Sequence, residues 1–378
     1  MKPRSWVEIS RAALEANVRS LQAQLGAQTT FTACVKSNAY GHDITLTTKA
    51  LLEMSVTHFT ADSIDEALLI RRLSQDAVVF IVGMVPLERF REAIAAQFVL
   101  NIYDEEALTA AIADAVTLQK IALVNIEVET GLHRLGAMPR AMLDLTRLIK
   151  NNARSVKLVG LSTHLATAED PSAQHIVDGQ LAVLDRVRED FAAYDITAPY
   201  IHAANSAATI FRPTTHCTMV RTGVALYGLW PSQEIRIAVQ RGKAFELRPV
   251  MTWKCMVAQV KDVPSGSAVG YDRTYVTNRP MRIAILPVGY WDGYDRHLSS
   301  RGKVLLRGHV CPVVGRVCMN MIMVDVSAIP QVKSGDVAVL MGREGMSSIS
   351  ADELADAVGT INYEIVTRIN AAIPRVLA

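Results

Sequence analysis

A lysine, a histidine and an arginine each stand in or at the end of a short apolar run, where ionisable side chains are uncommon. Lys36 closes TFTACVK, His164 closes LVGLSTH, and Arg221 lies in MVRTGVALYG. If these runs are buried parallel strands, their carboxyl ends meet at one mouth. Partial desolvation there lowers the pKa of an amine toward the neutral form that attacks carbonyl groups. The pattern predicts carbonyl chemistry through Lys36, although a lysine that extends from a strand end into solvent would give the same pattern.

The runs that position these residues alternate with helix-length segments. Eight of them follow one another between Thr30 and about residue 230: TFTACVK, HFTAD, VVFIVGM, FVLNIYD, IALVNIEVE, LVGLSTH, YIHAAN and MVRTGVALYG. They are apolar on both sides, which is typical of parallel strands covered on both faces. Eight strand–helix units predict an α/β protein with an N-terminal (β/α)8 TIM-like barrel over residues 1–232. An open doubly wound sheet is disfavoured because no GxGxxG turn follows the first strand.

Beyond about Ser232 the helical periodicity gives way to short strand-like runs separated by turn signals such as PSGS, NRP and KSGD. This pattern predicts a C-terminal, mostly-β domain over residues 233–378, ending in a short helix from Ser350 to Val358. We expect residues 1–10, which include the run SWVEI, to pair with this domain.

Composition narrows the class of partner. The 378 residues carry a net charge of +2 with mixed signs throughout, so we expect a small-molecule substrate and neither a nucleic-acid nor a membrane partner. The start lacks the pattern of a secretory signal. Five cysteines without a CxxC pair indicate neither disulfides nor a zinc site, and no metal is predicted. These features favour a cytoplasmic protein.

The segment around Lys36, VKSNAYGH, closely resembles the cofactor-lysine signature of the alanine racemase family, which are fold type III pyridoxal-phosphate enzymes. Further blocks similar to the family follow in order: ETGLHRLG, STHLATAE, HAANSAA, VRTGVALYGL, VGYDRTY, LPVGYWDGY, VGRVCMNMIMVDV and INYEI. The resemblance implies a racemase that interconverts L- and D-alanine with pyridoxal 5'-phosphate. It also implies a homodimer in which residues 233–378 contribute to the partner subunit's active site.

Two catalytic bases follow from the resemblance. Lys36 matches the lysine that forms a Schiff base with the cofactor, and Tyr271 matches a second base that enters from the neighbouring subunit. Racemisation removes the α-proton from one face and returns a proton to the other, so two groups of complementary protonation must flank the carbanion. Without the resemblance, Tyr271 would be interpreted as a strand-end aromatic packed on a core.

Arg221 matches the residue that contacts the pyridine nitrogen of the cofactor. A guanidinium donates a hydrogen bond but leaves that nitrogen unprotonated, so the ring is a weaker electron sink and rapid reprotonation is favoured over transamination. His164 matches a histidine that links the base tyrosine to Arg221, and Asn205 is expected to orient this network. A surface salt bridge for Arg221 and a satisfied core position for His164 are the alternatives.

Phosphate binding is assigned by the resemblance to hydroxyl groups and main-chain amides at the barrel mouth. The residues are Tyr40, Ser206, Tyr363, Gly223 and Val224. Small residues and hydroxyls suit an anion that is approached by N–H groups. Turn chemistry for the serine and glycine, and packing for the tyrosines, would explain them equally.

Substrate binding is assigned to Arg134, near the cofactor's phenolic oxygen and the substrate carboxylate. Seven positions earlier the family often has a carbamylated lysine, whose anion holds this arginine, and this chain has Glu127. We expect Glu127 to pair directly with Arg134, unless it is an ordinary glutamate facing solvent.

The family's residue with a main-chain amide on the substrate carboxylate, supplied by the partner subunit, matches Met319. The next position, usually Asp, is Asn320. This change either widens specificity toward serine or another small polar amino acid, or is silent.

Two tyrosines, Tyr290 and Tyr363, match residues that narrow substrate access in the family. Three charged residues, Glu169, Arg296 and Arg316, fall where the family lines that corridor.

Three alternative functions remain open. One is a racemase for serine or for a broader set of small amino acids. A fold-related decarboxylase of basic amino acids is disfavoured by Arg221 and by the absence of a glycine-run phosphate motif. A non-catalytic cofactor carrier, built from a lone barrel, would lack about 150 residues that carry Tyr271, Tyr290 and Met319 here.

Overall fold

The computed structural model describes residues 3–242 and 244–378. The chain divides into two compact units. The barrel unit consists of Glu15–Ala39 and Thr47–Arg248, and the β-rich unit consists of the chain up to Leu14, Tyr40–Leu46 and Pro249–Ala378. The first elements are β1 (Ser5–Ile9) and α1 (Arg11–Gln22).

Eight parallel strands form the barrel. They are β2 (Thr30–Cys34), β3 (His58–Ala61), β4 (Val78–Ile81), β5 (Val99–Ile102), β6 (Ala122–Glu127), β7 (Val156–Ser162), β8 (Tyr200–His202) and β9 (Met219–Thr222). Their order is β8-β7-β6-β5-β4-β3-β2-β9. Main-chain hydrogen bonds from Thr218 to Ile201 (3.1 Å) and from Arg221 to Ala204 (2.9 Å) bridge β8 and β9, so the barrel is nearly closed. The predicted (β/α)8 fold is confirmed.

Helical segments follow these strands, and the first of them, α2, has left-handed backbone angles. They are α2 (Lys36–Tyr40), α3 (Ile44–Glu53), α4 (Ile64–Leu73), α5 (Phe90–Ala95), α6 (Glu105–Leu118), α7 (Met142–Asn151), α8 (Gln174–Ala192), α9 (Ser206–Phe211) and α10 (Gln233–Gln240). Ser63 and Asp104, for example, accept main-chain N–H groups at the starts of α4 and α6. None of the helices among the described residues has both the length and the apolar character to span a membrane.

Within its described residues, the β-rich unit contains eleven more strands and two helices. They are β10 (Met251–Met256), β11 (Gln259–Val263), β12 (Ala268–Val269), β13 (Tyr275–Val276), β14 (Met281–Leu286), β15 (Lys303–Leu306), β16 (His309–Pro312), β17 (Ile322–Asp325), β18 (Val337–Glu344), β19 (Ser347–Ile349), α11 (Ala351–Val358), α12 (Asn362–Arg368) and β20 (Arg375–Leu377). The mostly-β C-terminal architecture is confirmed.

Its largest sheet has the order β16-β15-β18-β10-β1-β20, with β19 paired to β18. Strand β1 runs antiparallel to β10 and parallel to β20. The helix expected at 350–358 is α11, which Ser350 and Glu353 begin with a capping box. Helix α12 and strand β20 follow it and were not foreseen.

Candidate active site

Lys36 follows β2 rather than ending it. The strand stops at Cys34, and the half-buried Lys36 begins a turn in which Ser37, Asn38 and Ala39 have φ values of 54°, 53° and 55°. Left-handed conformation costs a residue with a Cβ about 1–2 kcal/mol. The N–H of Ala39 donates to the carbonyl of Val35 at 2.8 Å, which closes the turn. The chain therefore leaves the direction of the strand at Lys36, and it does so through backbone conformations that are unfavourable for residues with a Cβ.

Arg221 points into the barrel unit and is held by main-chain carbonyls. Its Nη1 donates to the carbonyl of His202 at 2.8 Å, and its Nη2 donates to the carbonyl of Thr163 at 2.9 Å. Burial lowers the pKa of Arg221 from its ordinary value, but a guanidinium stays charged near neutral pH. None of the described residues forms a hydrogen bond with its Nε. This atom is not fully buried, because it is absent from the set of buried atoms without a partner. One donor of the cation therefore remains available.

His202 is a site residue that was not predicted from the sequence. Its Nδ1 accepts a hydrogen bond from Arg221 Nη1, and its Nε2 lies 2.9 Å from Asn125 Oδ1. Burial, and then the charge of Arg221, place the pKa of His202 well below its usual range, so the ring is neutral. A Cβ on Gly160 would lie 2.3 Å from Asn125 Oδ1, so only glycine leaves room for this contact. The signal that could have found His202 is a second histidine at a strand end, in YIHAAN.

The hydrogen bonds continue from Asn125 to Glu127. Asn125 Nδ2 donates to Asn101 Oδ1 at 2.8 Å, and Asn101 Nδ2 donates to Glu127 Oε2 at 2.6 Å. The expected direct pair between Glu127 and Arg134 is wrong, because these two described residues form no ion pair and the buried carboxylate takes Asn101 instead. Burial raises the pKa of Glu127, against the hydrogen bond from Asn101 and the more distant charges of Arg221 and Arg134.

Arg134 lies exposed on a loop that a second glutamate organises. Glu129 is buried, and its carboxylate accepts the N–H of Gly131. Its main-chain N–H donates to Ala137 at 3.0 Å, so the loop closes at its base. Glu127 is the residue predicted for this purpose, whereas Glu129, two residues closer to Arg134, was not predicted.

His164 lies within electrostatic range of several of the predicted residues. Burial, and then the charges of Arg221, Arg134 and Lys36, lower the pKa of His164 to about 3. The imidazole is therefore neutral at physiological pH, and three cationic side chains act on it. No hydrogen bond joins His164 to Arg221, although both residues are described. The hydrogen-bond network that includes Arg221 contains His202 instead.

Asn205 does not orient the network around Arg221 as predicted. Its Oδ1 accepts the N–H of Ala208 at 3.1 Å and caps α9, while its Nδ2 donates to Glu169 Oε1 at 2.8 Å. An Asn at the start of a helix satisfies main-chain donors that the helix leaves open. Glu169 is half-buried, and burial raises its pKa. Asn205 therefore fixes the position of the next residue, Ser206.

Ser206 collects main-chain amides at the carboxyl ends of β8 and β9. Its hydroxyl accepts from the N–H groups of Gly223 (2.8 Å) and Ala225 (3.2 Å). A hydroxyl has one hydrogen to donate besides two acceptor sites, so that of Ser206 remains available. Val224 lies between the two amides and begins a short 3-10 turn. Three of the predicted phosphate residues thus lie together.

The β-rich unit carries the other predicted residues. The rings of Tyr40 and Tyr363 lie with their centroids 6.2 Å apart. Tyr271 and Tyr290 are exposed, and Arg296 is also exposed.

Arg316 forms an ion pair with Asp272, next to Tyr271.

Met319 and Asn320 lie on a loop that is bound to the segment after β14. The carbonyl of Met319 accepts from Trp291 N–H at 3.0 Å, and Asn320 Nδ2 donates to Asp292 Oδ2 at 3.3 Å. The same Asp292 oxygen accepts the N–H of Gly289 at 3.0 Å. The side-chain amide of Asn320 is thus engaged with a buried carboxylate rather than left for a ligand.

A nearly closed parallel barrel with a lysine and an arginine at the carboxyl ends of its strands is typical of TIM-barrel enzymes, and here a mostly-β region follows it. Two family models match the chain: "Alanine racemase, N-terminal domain" over residues 9–231 and "Alanine racemase, C-terminal domain" over residues 250–377. The chain therefore belongs to the alanine racemase family, and it is an amino-acid racemase.

Similar proteins agree with this assignment. The alanine racemase of Leptospira interrogans is 34% identical over 380 residues, covering 99% of this chain and 95% of that protein. The one from Desulfosudis oleivorans is 37% identical over 383 residues, covering 98% and 96%.

Among solved structures, alanine racemase from Streptomyces lavendulae has a TM-score of 0.93 at 33% identity, covering 100% of this chain and 98% of that one. The enzyme of Bacillus anthracis with bound L-Ala-P gives 0.92 at 31% identity, covering 100% and 96%.

Proposed function

We propose that the protein interconverts L- and D-alanine with pyridoxal 5'-phosphate as cofactor. Lys36 and Tyr271 of the partner subunit are the two bases. The observation that carries the proposal is Arg221, a half-buried cation whose Nε is left without a partner among the described residues. The names of the similar proteins supply the substrate.

The residues fit this cofactor on three counts. Lys36 offers an amine, Arg221 offers a spare guanidinium donor to a ring nitrogen, and Ser206 offers a hydroxyl among gathered amides. When bound, pyridoxal phosphate would hold the amino acid and withdraw electrons from its α-carbon. We assign its phosphate to Ser206, Gly223 and Val224, together with Tyr40 and Tyr363. Asn205 acts at one remove, because it fixes the helix start that carries Ser206.

The proton transfers belong to the chain's own side chains. Lys36 exchanges a proton on one face of the α-carbon, and the partner's Tyr271 exchanges a proton on the other. Because the imidazole of His164 is neutral, it adds no further positive charge to that of Arg221, Arg134 and Lys36.

Substrate positioning is assigned to Arg134 and to the main-chain amide of the partner's Met319. A guanidinium matches a carboxylate geometrically and balances its charge. Glu127 supports the site through Asn101 rather than through Arg134. Tyr290 limits the pocket to short side chains. Asn320 keeps serine, or a broader set of small amino acids, as a second candidate substrate.

A homodimer with shared sites is the proposed assembly. Large side chains are exposed on the β-rich unit at Tyr271 (68%), Trp291 (65%) and Met319 (55%). Aromatic residues and methionine are enriched in the cores of protein interfaces, and contiguous apolar exposure is uncommon in monomers. In this proposal residues 1–232 bind the cofactor, while residues 233–378 supply Tyr271 and Met319 to the partner.

The decisive experiment follows α-hydrogen exchange and inversion of L- and D-alanine and of L- and D-serine by the purified protein. We expect added pyridoxal phosphate to give an absorbance band that is lost in Lys36→Ala. Lys157→Ala, which removes an exposed lysine from β7, is the matched control and should keep the band. A protein that stays colourless after loading, or that inverts none of the four amino acids, would contradict the proposal.

A further inference from the structure

We propose that Glu66 is the positioning residue for Lys36. Its carboxylate holds in place the left-handed turn that follows the lysine. This inference rests on the proposed function only in taking Lys36 as the reacting amine. Glu66 lies on α4, and neither the chemistry described above nor the sequence patterns gave it a role.

The turn needs an external support. Ser37, Asn38, Ala39 and Tyr40 all have φ between 53° and 55°, and none of them is glycine. Four consecutive residues with a Cβ in this region would relax toward right-handed or extended backbone unless neighbouring structure prevented it. Lys36 immediately precedes them, so relaxation of the turn would redirect its side chain. Whatever fixes the turn therefore fixes the amine.

Glu66 binds this turn and the loop after β3 with its two oxygens. Oε1 accepts the N–H of Asn38 at 3.0 Å, and Oε2 accepts the N–H of Asp62 at 2.9 Å. Helix α4 has a capping serine, Ser63, whose hydroxyl accepts the N–H of Glu66 at 3.3 Å. A charged acceptor makes stronger hydrogen bonds than a neutral one, so one carboxylate joins two loops firmly.

Helix α11, which begins with a capping box, shows by comparison what is unusual in α4. In α11, Glu353 accepts the N–H of Ser350 at 2.9 Å, and Ser350 accepts the N–H of Glu353 at 3.1 Å. That reciprocal pair serves only its own helix. In α4 the carboxylate of Glu66 accepts instead from Asp62, one residue before the capping serine. Its other oxygen accepts from Asn38, which is 28 residues away in the chain.

The loop that carries Asp62 is itself fixed. A Cβ on Gly83 would lie 2.2 Å from the carbonyl oxygen of Asp62, so the two backbones are in close contact. The N–H of Val82 also donates to Ala61 at 2.9 Å. Glu66 is therefore anchored on a part of the barrel that cannot shift freely.

The end of β2 is held from a further side by Tyr227. Its buried hydroxyl donates to the carbonyl of Cys34 at 2.9 Å. Burial, and then the charges of Cys34 and Glu66, raise the pKa of Tyr227 well above its usual value. Glu66 thus lies within electrostatic reach of the strand end that leads to Lys36.

The test compares Glu66→Gln with Glu353→Gln and Ser63→Ala in the cofactor-loaded protein. Glutamine keeps the size but has one acceptor oxygen, and its NH2 group would face an amide donor. We expect kcat for alanine to fall about 10- to 100-fold in Glu66→Gln with little change in KM, as a reactive group displaced by about 1 Å would give. Both controls should lose thermal stability to a similar degree and keep kcat.

Hydrogen exchange of the peptide that contains residues 36–40 gives a readout independent of activity. We expect faster exchange at Asn38 and Ala39 in Glu66→Gln alone. Unchanged exchange, or faster exchange with kcat equal to that of the controls, would overturn the proposal. Glu66→Asp retains the charge but is one methylene too short to reach both amides, so it should give an intermediate loss. It replaces the glutamine variant if that variant does not fold. If the wild type inverts no amino acid, the proposed function fails, and the exchange comparison still decides the role of Glu66.

Discussion

Arg221 donates to the ring of His202, and this contact sets the direction of a whole chain of hydrogen bonds. Since Nδ1 of His202 accepts, its Nε2 carries the hydrogen and donates to Asn125. Asn125 then donates to Asn101, and Asn101 donates to Glu127. Every donor points from the cation toward the carboxylate. The charge of Arg221 is thus balanced through three neutral residues rather than by a direct ion pair.

We expect His202→Leu to lower kcat about 10- to 100-fold, because Arg221 loses a charge-assisted hydrogen bond worth about 1.5–3 kcal/mol. His58→Leu is the matched control. Burial also lowers the pKa of His58, and its Nε2 lies 2.9 Å from the hydroxyl of Tyr200, away from Arg221. Steady-state kinetics and thermal unfolding of both variants provide the measurement. Equal losses of kcat in the two variants would show that His202 only stabilises the fold.

The buried Glu127 predicts a pH-dependent stability. Its folded-state pKa is raised by burial, so the folded protein binds this proton more tightly than the unfolded chain does. Its contribution is therefore most favourable below the unfolded pKa of about 4.5 and is lost as pH rises through the raised folded value. Glu127→Gln removes this dependence. We expect the stability of the variant relative to wild type to increase from pH 4 to pH 7 in urea unfolding.

Glu129→Gln is the control with the opposite sign. Burial raises the pKa of Glu129, but the N–H groups of His133 and Gly131 outweigh this and lower it overall. The wild-type advantage over Glu129→Gln should be present at neutral pH and disappear as the pH falls below 4.5. Parallel curves for the two variants would contradict the assignment of Glu127. Turnover in Glu127→Gln should also fall. The glutamine NH2 group is a donor, so it cannot accept the hydrogen bond that Asn101 donates to the carboxylate.

Shared active sites predict complementation between two inactive variants. Lys36→Ala and Tyr271→Phe should each be inactive as homodimers. After the two are mixed, dissociated and reassociated, half of the dimers would be hybrids with one complete site, giving about one quarter of wild-type activity. Each variant taken alone through the same procedure is the control. Absence of recovered activity, with hybrid dimers demonstrated, would place both residues of one site on one chain.

Asn320 is expected to act through Asp292. In Asn320→Asp a second carboxylate would replace the amide that lies 3.3 Å from Asp292, so ionisation of one of the two is disfavoured. We expect lower thermal stability at pH 7 than at pH 5, relative to wild type, and equal losses of kcat/KM for alanine and serine. Asn320→Ala, which adds no charge, should lack the pH dependence. A changed serine-to-alanine ratio would instead show that Asn320 sets specificity.

The barrel could be predicted because each strand is buried on both faces and therefore appears as a continuous apolar run. Residues 362–368 and 375–377 could not. Helix α12 is too short to show a helical period, and β20 has three residues whose strand character comes from pairing with β1. Neither local pattern nor composition contains that long-range contact.

The residues of the site also fall into those that could be predicted from the sequence and those that could not. Lys36, His164 and Arg221 could be recognised because each is an ionisable residue in or beside an apolar run. Asn101 and Asn125 are also polar residues in strands, but their meaning depends on register. The two residues are aligned across β5 and β6, and their side chains bond only once that pairing exists.

The position of β1 between β10 and β20 bears on how the chain is made. Residues 5–9 are made long before their hydrogen-bonding partners, which lie at 251–255 and 375–377. Both edges of this apolar strand stay open until β10 has been made, and one edge stays open until β20 has been made. Unpaired edges invite pairing with other chains. The barrel strands pair mostly with their neighbours in sequence and need not wait. Completion of the large sheet is thus a late event, and a chain cut short before residue 375 would have β1 paired on one side only.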